Sequence, residues 1–99
     1  MKFKFVYTGV VYEIPKRMRP SLVRYIEKGV PAGNFLTAVF ENDLSNAVGY
    51  ADKENMLNIP AYVHFLYNYA PSKCWGSKEK VKKWVSEHRK ALSGAAQRV

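Results

Sequence analysis

The first fourteen residues alternate. In Lys2-Phe3-Lys4-Phe5-Val6-Tyr7 the aromatic residues Phe3, Phe5 and Tyr7 share one face of an extended chain, and Lys2 and Lys4 share the other. Val10, Tyr12 and Ile14 repeat that phase after Thr8-Gly9, a two-residue gap that ends in glycine. Two in-phase runs across such a gap predict a β-hairpin with one aromatic face. A lone hairpin is marginal in water, so that face is expected to pack in the core.

Beyond Pro15 the period becomes helical. Leu22, Val23, Tyr25 and Ile26 form an apolar stripe between Arg19 and Lys28, with Pro20 in the first turn, Gly29 at the end and Pro31 as a stop. Phe35, Leu36, Val39, Phe40, Leu44, Ala47, Val48 and Ala51 follow a 3-4-4-3 spacing that fits one helix over 34–51. Asn42-Asp43 offers an alternative, a split in two, because Asp43 is able to cap a new helix. Ile59, Tyr62, Val63, Leu66 and Tyr69 mark the next helix, with Phe65 on its aromatic flank, Pro60 in the first turn and Pro71 as its stop. Ser77 is a good N-cap for a last helix whose stripe is Val81, Trp84, Val85, His88 and Leu92, ending at Gly94.

The expected fold is therefore α+β. A hairpin over 1–14 packs on a compact bundle of about four helices over 19–93, with 95–99 frayed. The expected core is Phe35, Leu36, Val39, Phe40, Leu44, Val48, Ile59, Val63, Leu66, Val81, Trp84 and Val85, with Tyr62, Phe65 and Tyr69 buried or half-buried. A chain of 99 residues, 47% of them hydrophobic and 14% aromatic, is enough for one domain. The alternation at 1–7 is not expected to serve as a signal peptide, and no apolar run approaches the roughly 20 residues that span a bilayer. With a single cysteine, Cys74, these features point to a reducing, cytoplasmic setting and no membrane partner.

Charge adds what the pattern does not. There are 16 Lys and Arg against 8 Asp and Glu, a net charge of +8. The excess lies in two blocks. Residues 16–28 hold Lys16, Arg17, Arg19, Arg24 and Lys28 against Glu27 alone, and residues 73–99 hold eight basic residues against Glu79 and Glu87. Such a field favours a polyanion or an acidic patch on a protein. On the last helix Lys78, Lys82 and Arg89 lie beside one edge of the apolar stripe, Lys83 and Lys90 opposite it, and Lys80 on the other edge. That face suits phosphates. An ordinary solvated lysine face, helped by the Glu79–Lys83 spacing, accounts for the same pattern. Trp75, following Lys73, suits base stacking, or else plugs the joint between two helices. The candidate binding residues are thus Arg17, Arg19, Arg24, Lys73, Trp75, Lys78, Lys82, Lys83, Arg89 and Lys90.

Catalytic signals are weak. His64, His88 and Cys74 have no metal-ligand spacing, nothing resembles a nucleophile motif, and Gly33 and Gly49 are isolated rather than part of a phosphate loop. No catalytic residue, metal or cofactor is assigned.

The run Tyr12-Glu13-Ile14-Pro15, then Arg24 through Val39, with Asn42-Asp43-Leu44, Ala51-Asp52, Asn55, Phe65-Leu66-Tyr67-Asn68, Ala70-Pro71-Ser72, Cys74-Trp75-Gly76-Ser77, Val81 and Trp84, resembles a family of small uncharacterised proteins encoded by tailed bacteriophages and prophages. It covers about residues 12–84. The resemblance implies a phage gene product at work in the host bacterial cytoplasm, and it transfers no activity. The expected function is a small non-enzymatic phage protein that binds nucleic acid, or a host machine that processes it, through basic surfaces. The alternative is a protein-directed inhibitor of host defence or metabolism, an anti-CRISPR-like factor.

Overall fold

The computed structural model describes residues 1–97. Two strands, β1 (Lys4–Tyr7) and β2 (Val10–Glu13), precede six helices: α1 (Arg19–Lys28), α2 (Asn34–Phe40), α3 (Leu44–Tyr50), α4 (Lys53–Leu57), α5 (Ile59–Tyr69) and α6 (Lys78–Gln97). Short 3-10 turns at Lys16–Met18 and Ser72–Cys74 lead into α1 and α6. The fold is α+β, with about six helices where the sequence pattern predicts four.

The strands pair antiparallel, with Phe5 opposite Tyr12 and Val6 opposite Val11. Thr8 and Gly9 both take positive φ, 47° and 79°, the type I′ geometry that matches strand twist. The hairpin rests on α5 through its open end: Phe3 stacks on Phe65 at 5.3 Å and Phe5 on the His64 ring at 4.4 Å. The expectation that this face packs in the core needs correction at its turn end. Phe3, Phe5 and Tyr12 are half-buried, and Tyr7 and Val10, next to the turn and beyond those contacts, are exposed.

The single helix expected over 34–51 is two. Asn42 takes a left-handed φ of 59°, which ends the run, and the Asp43 carboxylate accepts the Asn46 backbone N–H at 3.1 Å to start α3. This local hydrogen bonding wins over a continuous apolar period. The same device recurs at Asp52, which accepts from the Asn55 N–H at 2.8 Å and caps α4. Asn58, between α4 and α5, ties the helices to the hairpin by accepting the Glu13 N–H at 2.8 Å.

The core comprises Ile14, Leu22, Tyr25, Ile26, Phe35, Leu36, Phe40, Tyr62, Phe65, Leu66, Cys74 and Val81, with small Ala38, Ala47 and Ala61 between them. Asn55, the one buried polar residue among the described side chains, accepts the Tyr62 hydroxyl at 2.6 Å. Three residues expected in the core lie outside it: Leu44 is 69% exposed, Val63 42% and Val48 41%. The break at Asn42 is the physical reason for the first and third, because α3 restarts with a new phase and turns only Ala47 inward. Val63 then borders a shallow apolar depression with Val39, Leu44 and Ile59 instead of being covered by α3. Tyr69 reaches the surface while keeping a ring contact with Phe65 at 5.2 Å. The last helix runs through Gly94 to Gln97 rather than stopping at the glycine. Of the expected frayed end, residues 98–99 lie outside the described residues. No described helix is long and apolar enough to cross a membrane.

Candidate functional site

Helix α6 carries most of the basic candidates, and one face of it is pinned to the body by Trp84 and His88. The Trp84 indole Nε1–H donates to the backbone carbonyl of Tyr25 at 2.8 Å. The Tyr25 ring stacks on Phe40 at 4.1 Å, and its hydroxyl donates to the Cys74 carbonyl at 2.6 Å, so α1, α2 and the turn before α6 meet at one residue. Burial pushes the Tyr25 phenol pKa above its usual value, which keeps it a neutral donor. One turn beyond Trp84, His88 packs against Gly29, where an added Cβ would lie 2.6 Å from the imidazole. Gly29 also has φ of 63°, so this position closes α1 and admits His88 only as glycine.

With that face held, the charged face is oriented. Lys73, Lys80, Lys83, Trp84 and Glu87 line a groove of about 250 Å³ between the Ser72–Cys74 turn and α6. Lys83 also stands 3.9 Å from Glu87, in an exposed i,i+4 pair. Lys78 lies near Asp43, whose carboxyl sits below the usual range mainly because the Asn46 backbone and side chain donate to it. Arg89 lines a second, smaller depression beside Lys28, Val30, Pro31 and Val85. Lys82 and Lys90 are exposed, and neither forms an ion pair among the described residues. Trp75 is half-buried at the joint, edge-on to the exposed Tyr67 at 4.9 Å.

The first basic block divides. Arg24 is exposed on α1, one turn before Lys28. Arg17 and Arg19 are engaged elsewhere. Arg17 bonds to Asp52 and, at 3.2 Å, to Glu54, which together hold its guanidinium pKa above the usual value. The Asn55 backbone N–H and then Arg17 hold the Asp52 carboxyl below its usual range. Arg19 donates to the Ile14 carbonyl at 3.0 Å and to Glu13 at 2.7 Å, with its guanidinium 4.5 Å from the Phe3 ring centre. The structure therefore brings Lys73 and Lys83 together, with Arg89 on the same helix beside Lys28, and leaves Arg17 and Arg19 as braces under the hairpin.

Two residues outside the predicted set belong to this surface. Lys80 lines the groove, and Trp84 forms part of its wall while also packing on the core. Their spacing with Lys83 and Glu87, 80-83-84-87, is a legible one-face signal. The pairing of Arg89 with Lys28 along one depression is not legible, because it depends on how α1 meets α6.

A larger cleft, about 580 Å³, opens between β2 and α4 and is lined by Glu13, Arg17, Glu54 and Asn58 among others. Its Glu13, Arg17, Glu54 and Asn58 are already bonded to one another or to Arg19. Cys74 is buried, and burial pushes its thiol up to about 11, far from the thiolate form that a nucleophile uses. Among the described residues no three His, Cys, Asp or Glu side chains converge as metal ligands. No family model, curated protein or solved structure matches this chain.

Proposed function

We propose that this chain is a non-enzymatic phage protein that binds nucleic acid, or a host machine handling nucleic acid, through its basic surface. The carrying observation is the contrast on α6: one face is fixed by Trp84 and His88, and the other presents lysines with few acidic partners. The helix that carries these cations is already in place before binding, and each phosphate neutralised releases counterions. The likeness to tailed-phage proteins supports action in the bacterial cytoplasm.

The decisive experiment is titration against single- and double-stranded DNA and RNA over a salt series. Binding to any of the four that weakens steeply with salt is expected. Absence of binding to all four at low salt discards direct nucleic-acid binding. A second function, inhibition of a host defence or metabolic protein, is favoured by exposed Leu44 and Val63, apolar groups that phosphate binding does not use. It predicts a stable protein complex that survives nuclease treatment.

A further inference from the structure

We infer that the groove between the Ser72–Cys74 turn and α6 is a track for single-stranded nucleic acid, with Lys73, Lys80 and Lys83 on the phosphates and the Trp84 ring against an unpaired base. This rests on the nucleic-acid function proposed above and narrows it to one strand state and one site.

Three lysines and one tryptophan line the same groove. They come from two elements, the 3-10 turn and two successive turns of α6, so the site exists only in the folded chain. At about 250 Å³ the groove is smaller than the roughly 300–1,000 Å³ of pockets that enclose drug-sized ligands. The indole N–H is already committed to the Tyr25 carbonyl, so the ring offers the groove carbon surface rather than a hydrogen bond. Stacking on such a surface is tolerant of sequence, since every base has a π-face. In a duplex those faces are covered by neighbouring bases, so paired strands reach only the lysines. The ring is also held in place before binding, which lowers the cost of ordering it. Lys80 lies over Gly76, its Nζ 3.5 Å from where a Cβ there would stand, at the mouth of the connector that leads into α6.

Glu87 opposes phosphate at one end. It stands 3.9 Å from Lys83 and lines the same groove, so it marks where the track stops.

Trp75→Phe leaves Trp84 as the sole tryptophan and makes its emission a site probe. This variant is titrated with a twelve-residue oligothymidylate and, separately, with a duplex of that length, while anisotropy of a labelled strand gives affinity independently. The expected result is Trp84 quenching that saturates with the anisotropy curve, and single-strand affinity about tenfold above duplex. In the same background Lys73→Ala and Lys83→Ala each lower the log–log salt slope by about 0.7, and Glu87→Gln tightens binding about twofold. Binding without a change in Trp84 emission, or duplex bound as tightly as single strand, overturns the groove assignment and leaves the broader basic-face function standing. No binding to either probe overturns the groove assignment, and the same result with single- and double-stranded RNA overturns direct nucleic-acid binding as well.

Discussion

The two basic blocks, one with three Arg and two Lys and the other with six Lys and two Arg, meet different circumstances. Arg17 and Arg19 find carboxylates, a carbonyl and an aromatic ring within their own fold. The lysines of α6 meet only Glu87, at 3.9 Å, as an ion-pair partner among the described residues. A guanidinium with its forked donors is suited to bracing a junction, and a compact ammonium on a flexible stem is suited to meeting a mobile polyanion. A net charge of +8 therefore overstates the cationic surface near the hairpin and describes that of α6 more faithfully. Counting charges along a sequence ignores whether each charge already has a partner.

The largest effect tests whether α6 is held as described. Trp84→Ala removes a half-buried indole and its bond to Tyr25, and should cost about 3 kcal/mol in denaturant unfolding, the low end for such truncations because the ring is partly open. A cost under about 1 kcal/mol would mean that α6 is not anchored there.

A smaller difference separates the blocks by stability. Arg19→Ala should cost about 1–2 kcal/mol, since it strips a charge-assisted bond, a carbonyl partner and a ring contact from a side chain only 22% exposed. Lys82→Ala should change stability by about 0.5 kcal/mol or less. Equal costs would erase the contrast between brace and display.

The smallest effect concerns acid. Asp43 and Asp52 titrate below the ordinary carboxylate value of 3.8 when folded, because of their N-cap bonds and, for Asp52, Arg17. Their folded pKa values are lowered, so their contribution is fully present above that value and is lost as pH falls through the folded values. Asp52→Asn should flatten the acid limb of the stability curve below about pH 4 without altering stability's response to Lys82→Ala. An unchanged acid limb would show that the Arg17–Asp52–Asn55 arrangement is not held in solution.

Much of the fold is legible in sequence where local rules decide. Period two and a two-residue gap locate the hairpin, Pro20 and Gly29 bracket α1, and Ser77 with Trp84 and Val81 locate and phase the start of α6. The failures come where a single side chain redirects the chain. Asp43 is readable as a cap, yet the apolar spacing across it is compatible with continuity, and that spacing puts Leu44 and Val48 in the core. Of the surface, the α6 lysines are readable from helical phase. The internal bonding of Arg17 and Arg19 is not, because Asp52 and Glu54 lie 35 and 37 residues away in sequence from Arg17. Nor is Trp84's double place, with one edge on Tyr25 and part of the ring in the groove, since periodicity separates core from surface and assigns no residue to both.

The central claim is that the surface of α6, and not the Arg17–Arg19 pair, meets the polyanion. It is tested most directly by the salt dependence of oligonucleotide affinity in two double variants, Arg17→Ala with Arg19→Ala and Lys80→Ala with Lys83→Ala, each checked for a native circular dichroism spectrum. The log–log slope should fall by about 0.7–0.9 for each phosphate that the second pair no longer neutralises, and stay at the wild-type value in the first. A slope that falls with the Arg17 and Arg19 changes, or does not move with the Lys80 and Lys83 changes, would contradict the claim.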